Sequence, residues 1–109
     1  MSIAEMYNLL SSTGYPVAYR VFKTKQTLPF IVFYTDGTDN AFADNSVSKV
    51  INQWTVELYT DSKDPEAEAA VEAVLPVWNK TETYIDDEQM FMIAYTFEDI
   101  YNGELPATT

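Results

Sequence analysis

Apolar residues change period abruptly in the middle of this chain. Trp54, Val56 and Leu58 alternate as a half-buried strand does, and from Pro65 onward Ala67, Ala70, Val71, Val74 and Trp78 recur at helical spacing. Asp64 is a favourable helix N-cap and Pro65 suits the first helical position, where its missing N–H would be unpaired anyway. Glu66 and Glu68 in the first turn complement the helix dipole. A strand running straight into a capped helix is therefore predicted, with Pro76 ending or kinking the helix near Leu75.

Upstream, Ser2 and Glu5 have capping-box spacing, and Ile3, Met6, Tyr7, Leu9 and Leu10 supply the apolar side of a first helix. Gly14 suits a left-handed helix stop, and Pro16 prevents resumption. Val17 to Phe22 has strand composition. In Leu28–Tyr34, Phe30, Val32 and Tyr34 point one way and Ile31 and Phe33 the other, so both faces of that strand are apolar. Such a strand is covered by helices on both sides or by another subunit on one.

Residues 35 to 46 are polar and do not alternate, which predicts a long loop rather than a hairpin at Asp36-Gly37. Phe42, apolar within it, either tucks onto the core or inserts into a neighbouring subunit. Val47 to Thr60 is a long strand, and Thr81–Ile85 and Met90–Phe97 make a hairpin across Asp86–Gln89, with Phe91, Ile93, Tyr95 and Phe97 on its core face. An irregular tail is expected from about residue 100 to 109. The fold class is α+β: one domain over residues 1–109, a single antiparallel-dominated sheet with two helices, in the order α-β-β-β-α-β-β.

Composition narrows the chemistry. The 109 residues include no cysteine and no histidine, which removes thiol nucleophiles, the usual zinc ligands and the one side chain that ordinarily titrates near neutrality. There is no glycine-rich phosphate loop and no nucleophile elbow, so neither an enzyme nor a bound cofactor is expected. Neither a signal peptide nor an apolar run long enough to span a membrane is evident. Asp36, Asp39 and Asp44, with Asn40 and Asn45, gather oxygen ligands but lack the spacing of a calcium loop. Asp86, Asp87 and Glu88 read as a solvated hairpin tip.

The net charge is −11, and residues 61–109 hold twelve of the seventeen acids against two of the six bases. Such a chain repels nucleic-acid phosphates. Arg20, Lys23 and Lys25 concentrate half the positive charge within six residues, as a contact either within the monomer or with an acidic neighbouring copy. The helix bearing Glu66, Glu68 and Glu72 is expected to turn these carboxylates outward.

Phe22-Lys-Thr24, Pro29-Phe-Ile-Val-Phe-Tyr34, Ala43-Asp-Asn45 and Trp54-Thr-Val-Glu-Leu-Tyr-Thr60 followed by Lys63-Asp-Pro65 together resemble the small neck proteins of siphophages and prophages of Gram-positive hosts. The resemblance is to the tail-completion or tail-terminator type and spans most of residues 5–97. It implies a non-enzymatic virion protein, made in the host cytoplasm, that forms a ring, expected to be a hexamer. That ring would end tail-tube polymerisation on the major tail tube protein, join the tail to a head-closure or connector protein, and let DNA pass without binding it specifically. Interface residues inferred from charge and exposure are Arg20, Lys23, Lys25, Asp36, Asp39, Phe42, Asp44, Glu66, Glu68 and Glu72. The rival reading of so acidic a chain is a small DNA mimic that occupies the basic cleft of a nuclease or restriction enzyme.

Overall fold

The alternation of Trp54, Val56 and Leu58 places them at the centre of the molecule, on the strand that both neighbouring strands use as a template. In the computed structural model the backbone is described for residues 1–43 and 46–102, and side chains for residues 1–35 and 52–99. The elements are α1 (Ile3–Ser11), β1 (Val17–Tyr19), β2 (Phe30–Ala43), β3 (Ser46–Thr60), α2 (Pro65–Val74), β4 (Asn79–Ile85), a 3-10 turn (Asp86–Glu88) and β5 (Met90–Asn102). They form one five-stranded sheet in the order β1-β2-β3-β5-β4. Only β1 and β2 run parallel.

Local chemistry explains the helix ends. Ser2 Oγ accepts the Glu5 N–H at 3.1 Å while Glu5 Oε1 accepts the Ser2 N–H at 2.8 Å, closing the capping box. Asp64 Oδ1 accepts the Ala67 N–H at 3.0 Å, and Pro65 occupies the first turn of α2. Leu75, immediately before Pro76, is already extended. Gly14 has φ +90, a conformation in which any side chain would be strained, and it turns the chain from α1 toward β1.

Both helices pack on the same face of the sheet. Met6 and Leu10 of α1 and Ala67 and Val71 of α2 close over Ile31, Phe33, Trp54, Val56, Leu58, Ile93, Tyr95 and Phe97. Cross-strand register sets these residues side by side: Ile31 opposite Leu58, Phe33 opposite Val56, Leu58 opposite Ile93, Val56 opposite Tyr95. Phe33 also meets Tyr19 edge-on at 5.2 Å, and Trp78 meets Tyr95 at 5.6 Å.

Three expectations need correction. Residues 35–43 are not a loop, because β2 continues through them and pairs with β3 as far as Ala43 opposite Ser46. Asp36 and Gly37 stand opposite the single residue Gln53, a bulge that shifts the period-two pattern by one residue and hides the alternation. The strand begun at Val17 stops at Tyr19 instead of Phe22, since Arg20 takes a positive φ of 68. At the other end β5 runs to Asn102, paired with Lys49, so the irregular tail does not begin at 100. Residues 103–109 lie outside the described part.

Among the described residues no helix is long and apolar enough to cross a membrane. Leu58 is fully buried between its cross-strand partners Ile31 of β2 and Ile93 of β5. Leu58→Ala is expected to cost about 2–5 kcal/mol and Asp64→Ala about 1 kcal/mol, both read from urea unfolding followed by circular dichroism.

Candidate assembly surface

The face without helices is built by the other half of each strand's alternation. Phe30, Val32 and Tyr34 of β2, Thr55, Glu57 and Tyr59 of β3, and Met90, Met92 and Ala94 of β5 occupy it. Most of these are half-buried rather than covered. The segment from Arg20 to Leu28 folds over one end and leaves a groove of about 1030 Å³ lined by Phe22, Phe30, Val32, Glu57, Tyr59 and Met90, among others.

A carboxylate organises that face. Glu57 Oε2 accepts the Tyr34 hydroxyl at 3.0 Å and Glu57 Oε1 accepts the Tyr59 hydroxyl at 2.8 Å. Burial raises the Tyr59 phenol above its ordinary value, and the hydrogen bond to Glu57 raises it further, so it stays protonated at neutral pH. Phe30 stacks on Tyr59 at 5.0 Å, and Phe22 meets Phe30 edge-on at 5.4 Å. The result is an aromatic platform whose central carboxylate is already hydrogen-bonded on both oxygens.

The basic segment divides. Arg20 is used within the chain: its backbone N–H donates to Phe33 O at 2.9 Å, its guanidinium donates to Thr35 O at 2.9 Å, and it stands over the rings of Tyr19 and Tyr34. Lys23 and Lys25 are exposed and have no carboxylate partner among the described residues. Lys25 and Glu88 both line the groove.

Glu68 and Glu72 do not face outward as expected. Glu68 is buried against the edge of the sheet, with Oε1 accepting from Lys80 Nζ at 3.0 Å and Oε2 ion-paired to Lys63 Nζ at 2.8 Å, off the line of a good hydrogen bond. Glu72 Oε2 accepts from both Lys80 Nζ and the Tyr95 hydroxyl, each at 2.8 Å. Lys63 also reaches Glu82 Oε1 at 2.7 Å. The physical reason is supply: the only two lysines of the acidic half sit just before the α2 cap and on β4, and they draw the carboxylates inward. Only Glu66 of the three is exposed.

Of the remaining expected interface residues, Asp36, Asp39 and Phe42 lie on β2 with side chains outside the described set, and Asp44 is outside it altogether. No group of three or more Asp or Glu residues able to hold a metal occurs among the described residues. Asp86 and Asp87 are exposed at the β4–β5 turn and do not line the groove that Glu57 faces. The Tyr34–Glu57–Tyr59 cluster was not anticipated; the sole signal for it was Glu57 alternating with apolar Val56 and Leu58. The chain matches no protein-family model, and no curated protein matches it.

Burial alone would raise the Glu68 carboxyl, but its bonds to the Lys63 and Lys80 ammonium groups outweigh that and hold it below its ordinary value of 4.5. A carboxyl lowered in this way contributes stability that is complete above the ordinary value and is lost as pH falls through the lowered one. Lys80 is raised by Glu72 and Glu68, so its contribution is present below 10.5 and is lost as pH rises through the raised value. The urea midpoint should therefore be level from neutrality down to about pH 5 and fall below it. Glu68→Gln should lower the unfolding free energy at neutral pH by about 1–3 kcal/mol, with a matching drop in the urea midpoint, and flatten that acid limb.

Proposed function

We propose that this chain is a structural component of a phage neck, a ring-forming protein of the tail-terminator type that ends tail-tube growth and joins the tail to the head. The observation that carries the reading is the uneven layering of the sheet. Two helices cover one face, while the other presents Phe30, Tyr34, Tyr59 and Met92 half-buried, and the β2–β3–β5 pairing runs on past the core to Ala43, Ser46 and Asn102. A neighbouring subunit packed on the helix-free face would supply the second covering layer that the two helices give only to the other side.

The resemblance of Pro29–Tyr34 and Trp54–Pro65 to neck proteins adds support, since those residues supply the first part of β2, the second part of the central strand β3 and the start of α2. Charge supports it too. Asp61, Glu66, Asp86, Asp87, Glu88 and Glu98 carry no ion pair among the described residues, which suits a passage along which DNA slides without adhering. The DNA-mimic reading loses ground on the same count. Glu68, Glu72 and Glu82 are ion-paired internally to Lys63 and Lys80, Asp64 caps α2 and Asp99 holds the N-terminal ammonium. The unpaired acids are divided between the β4–β5 turn, the two ends of the β3–α2 connection and the far part of β5, rather than aligned as phosphates on one ridge.

Light scattering of the purified chain mixed with tail tubes, together with electron microscopy, tests the assignment. Rings seated on tube ends and a halt in tube elongation are expected. A monomer that leaves tubes growing would defeat it. Met92→Glu, which charges the helix-free face, should preserve the circular dichroism spectrum and abolish ring formation.

A further inference from the structure

Strand β4 is the outermost strand on its side of the sheet, and Asn79 through Tyr84 are all exposed. Edges of this kind are ordinarily blunted by prolines, bulges, short length or free charge. The opposite edge is treated that way: β1 has three residues, and Arg20 ends it by covering Phe33 O and Thr35 O. By contrast β4 has seven residues, no proline and an unbroken register with β5. Its two charges, Lys80 and Glu82, are drawn over α2 by Glu68, Glu72 and Lys63. Two exposed apolar residues belong to the same edge, Val77 just before the strand at 60% and Tyr84 within it at 47%.

A strand that continues a sheet antiparallel to its own copy must set each residue opposite one pointing to the same face. The two-fold axis then passes through a residue, and three centres allow at least five residues of β4 to pair: Thr81, Glu82 and Thr83. Centring on Glu82 opposes two carboxylates. Centring on Thr83 carries Lys80 beyond the partner strand to its 3-10 turn. Centring on Thr81 sets Lys80 against the partner's Glu82, Thr81 against the partner's Thr81, and Asn79 against the partner's Thr83. Extended by two residues, the same register meets Trp78 with the partner's Tyr84 and Val77 with the partner's Ile85. The ionic valences also close. Lys80 has given two of its three protons, to Glu68 and Glu72, and Glu82 receives Lys63 on Oε1, leaving one donor and one oxygen for the cross-copy pair.

We propose that β4 is a self-pairing edge, through which two copies join antiparallel over residues 77–85 about a two-fold at Thr81, making one ten-stranded sheet. This contact is closed and isologous, uses neither the helix-free face nor the β2–β3 extension, and stands whether or not the chain forms a neck ring. So short an interface gives a weak, concentration-dependent dimer.

The absence of cysteine makes the test clean. Thr81→Cys places two thiols directly opposite one another, about 4.5–5.5 Å apart at Cα, whereas Thr83→Cys places them about 14 Å apart in the same register. Both positions are exposed, so both full-length variants should keep the native circular dichroism spectrum. Under mild oxidation Thr81→Cys is expected to form disulfide dimers at least about tenfold faster than Thr83→Cys, since only the first meets disulfide geometry. Equal rates, or no dimer from either, would overturn the pairing. Tube-capping rings without the Thr81 preference refute the edge and leave the neck assignment intact, and the preference without rings does the reverse.

Discussion

Everything in this molecule is arranged around the two sides of β3. Its even-numbered residues Trp54, Val56 and Leu58 need a covered apolar layer, and its odd-numbered residues Thr55, Glu57 and Tyr59 cannot share it. Once β2 and β5 pair with it on either side, their own alternation is forced into register, and Ile31, Phe33, Ile93, Tyr95 and Phe97 fall on the same face. The helices have one place to bury their apolar stripes, so both go there. The carboxylate and its tyrosines are left on the other side together.

The acidic half of the chain shows how scarce counter-charge shapes a surface. Lys63 and Lys80 are the sole bases among residues 61–109, and each holds two carboxylates. Burying Glu68 between them is tolerable because two ammonium groups compensate its lost hydration, and Glu72 gains the Tyr95 hydroxyl in addition. This cluster ties α2 to β4 and β5. It also withdraws the charge that would otherwise guard the β4 edge, so one electrostatic device accounts both for the docking of α2 and for the bare backbone beside it.

Legibility followed range. The capping box at Ser2–Glu5, the Asp64 cap, the stop at Pro76 and the β4–β5 hairpin are set by residues within a few positions of one another, and all were readable. The extension of β2 was not, because a bulge at Asp36–Gly37 breaks the period on which strand reading depends, and the pairing there is supplied by β3. The candidate surface was half readable. Two apolar faces on Phe30–Tyr34 left open helices on both sides or a second subunit on one, and nothing in the local pattern distinguished Glu66, which is exposed, from Glu68 and Glu72, which are not.

The order of elements, the α+β class, the helix boundaries and the apolar face of β3 follow from local sequence, through periodicity and capping, which act over a single turn or pleat. Which face the helices take, which strand lies at the edge, and which acids meet lysines were decided only in the tertiary structure. Those outcomes depend on pairs such as Lys80 with Glu68 and Tyr34 with Glu57, twelve and twenty-three residues apart, brought together by strand register rather than by any local preference.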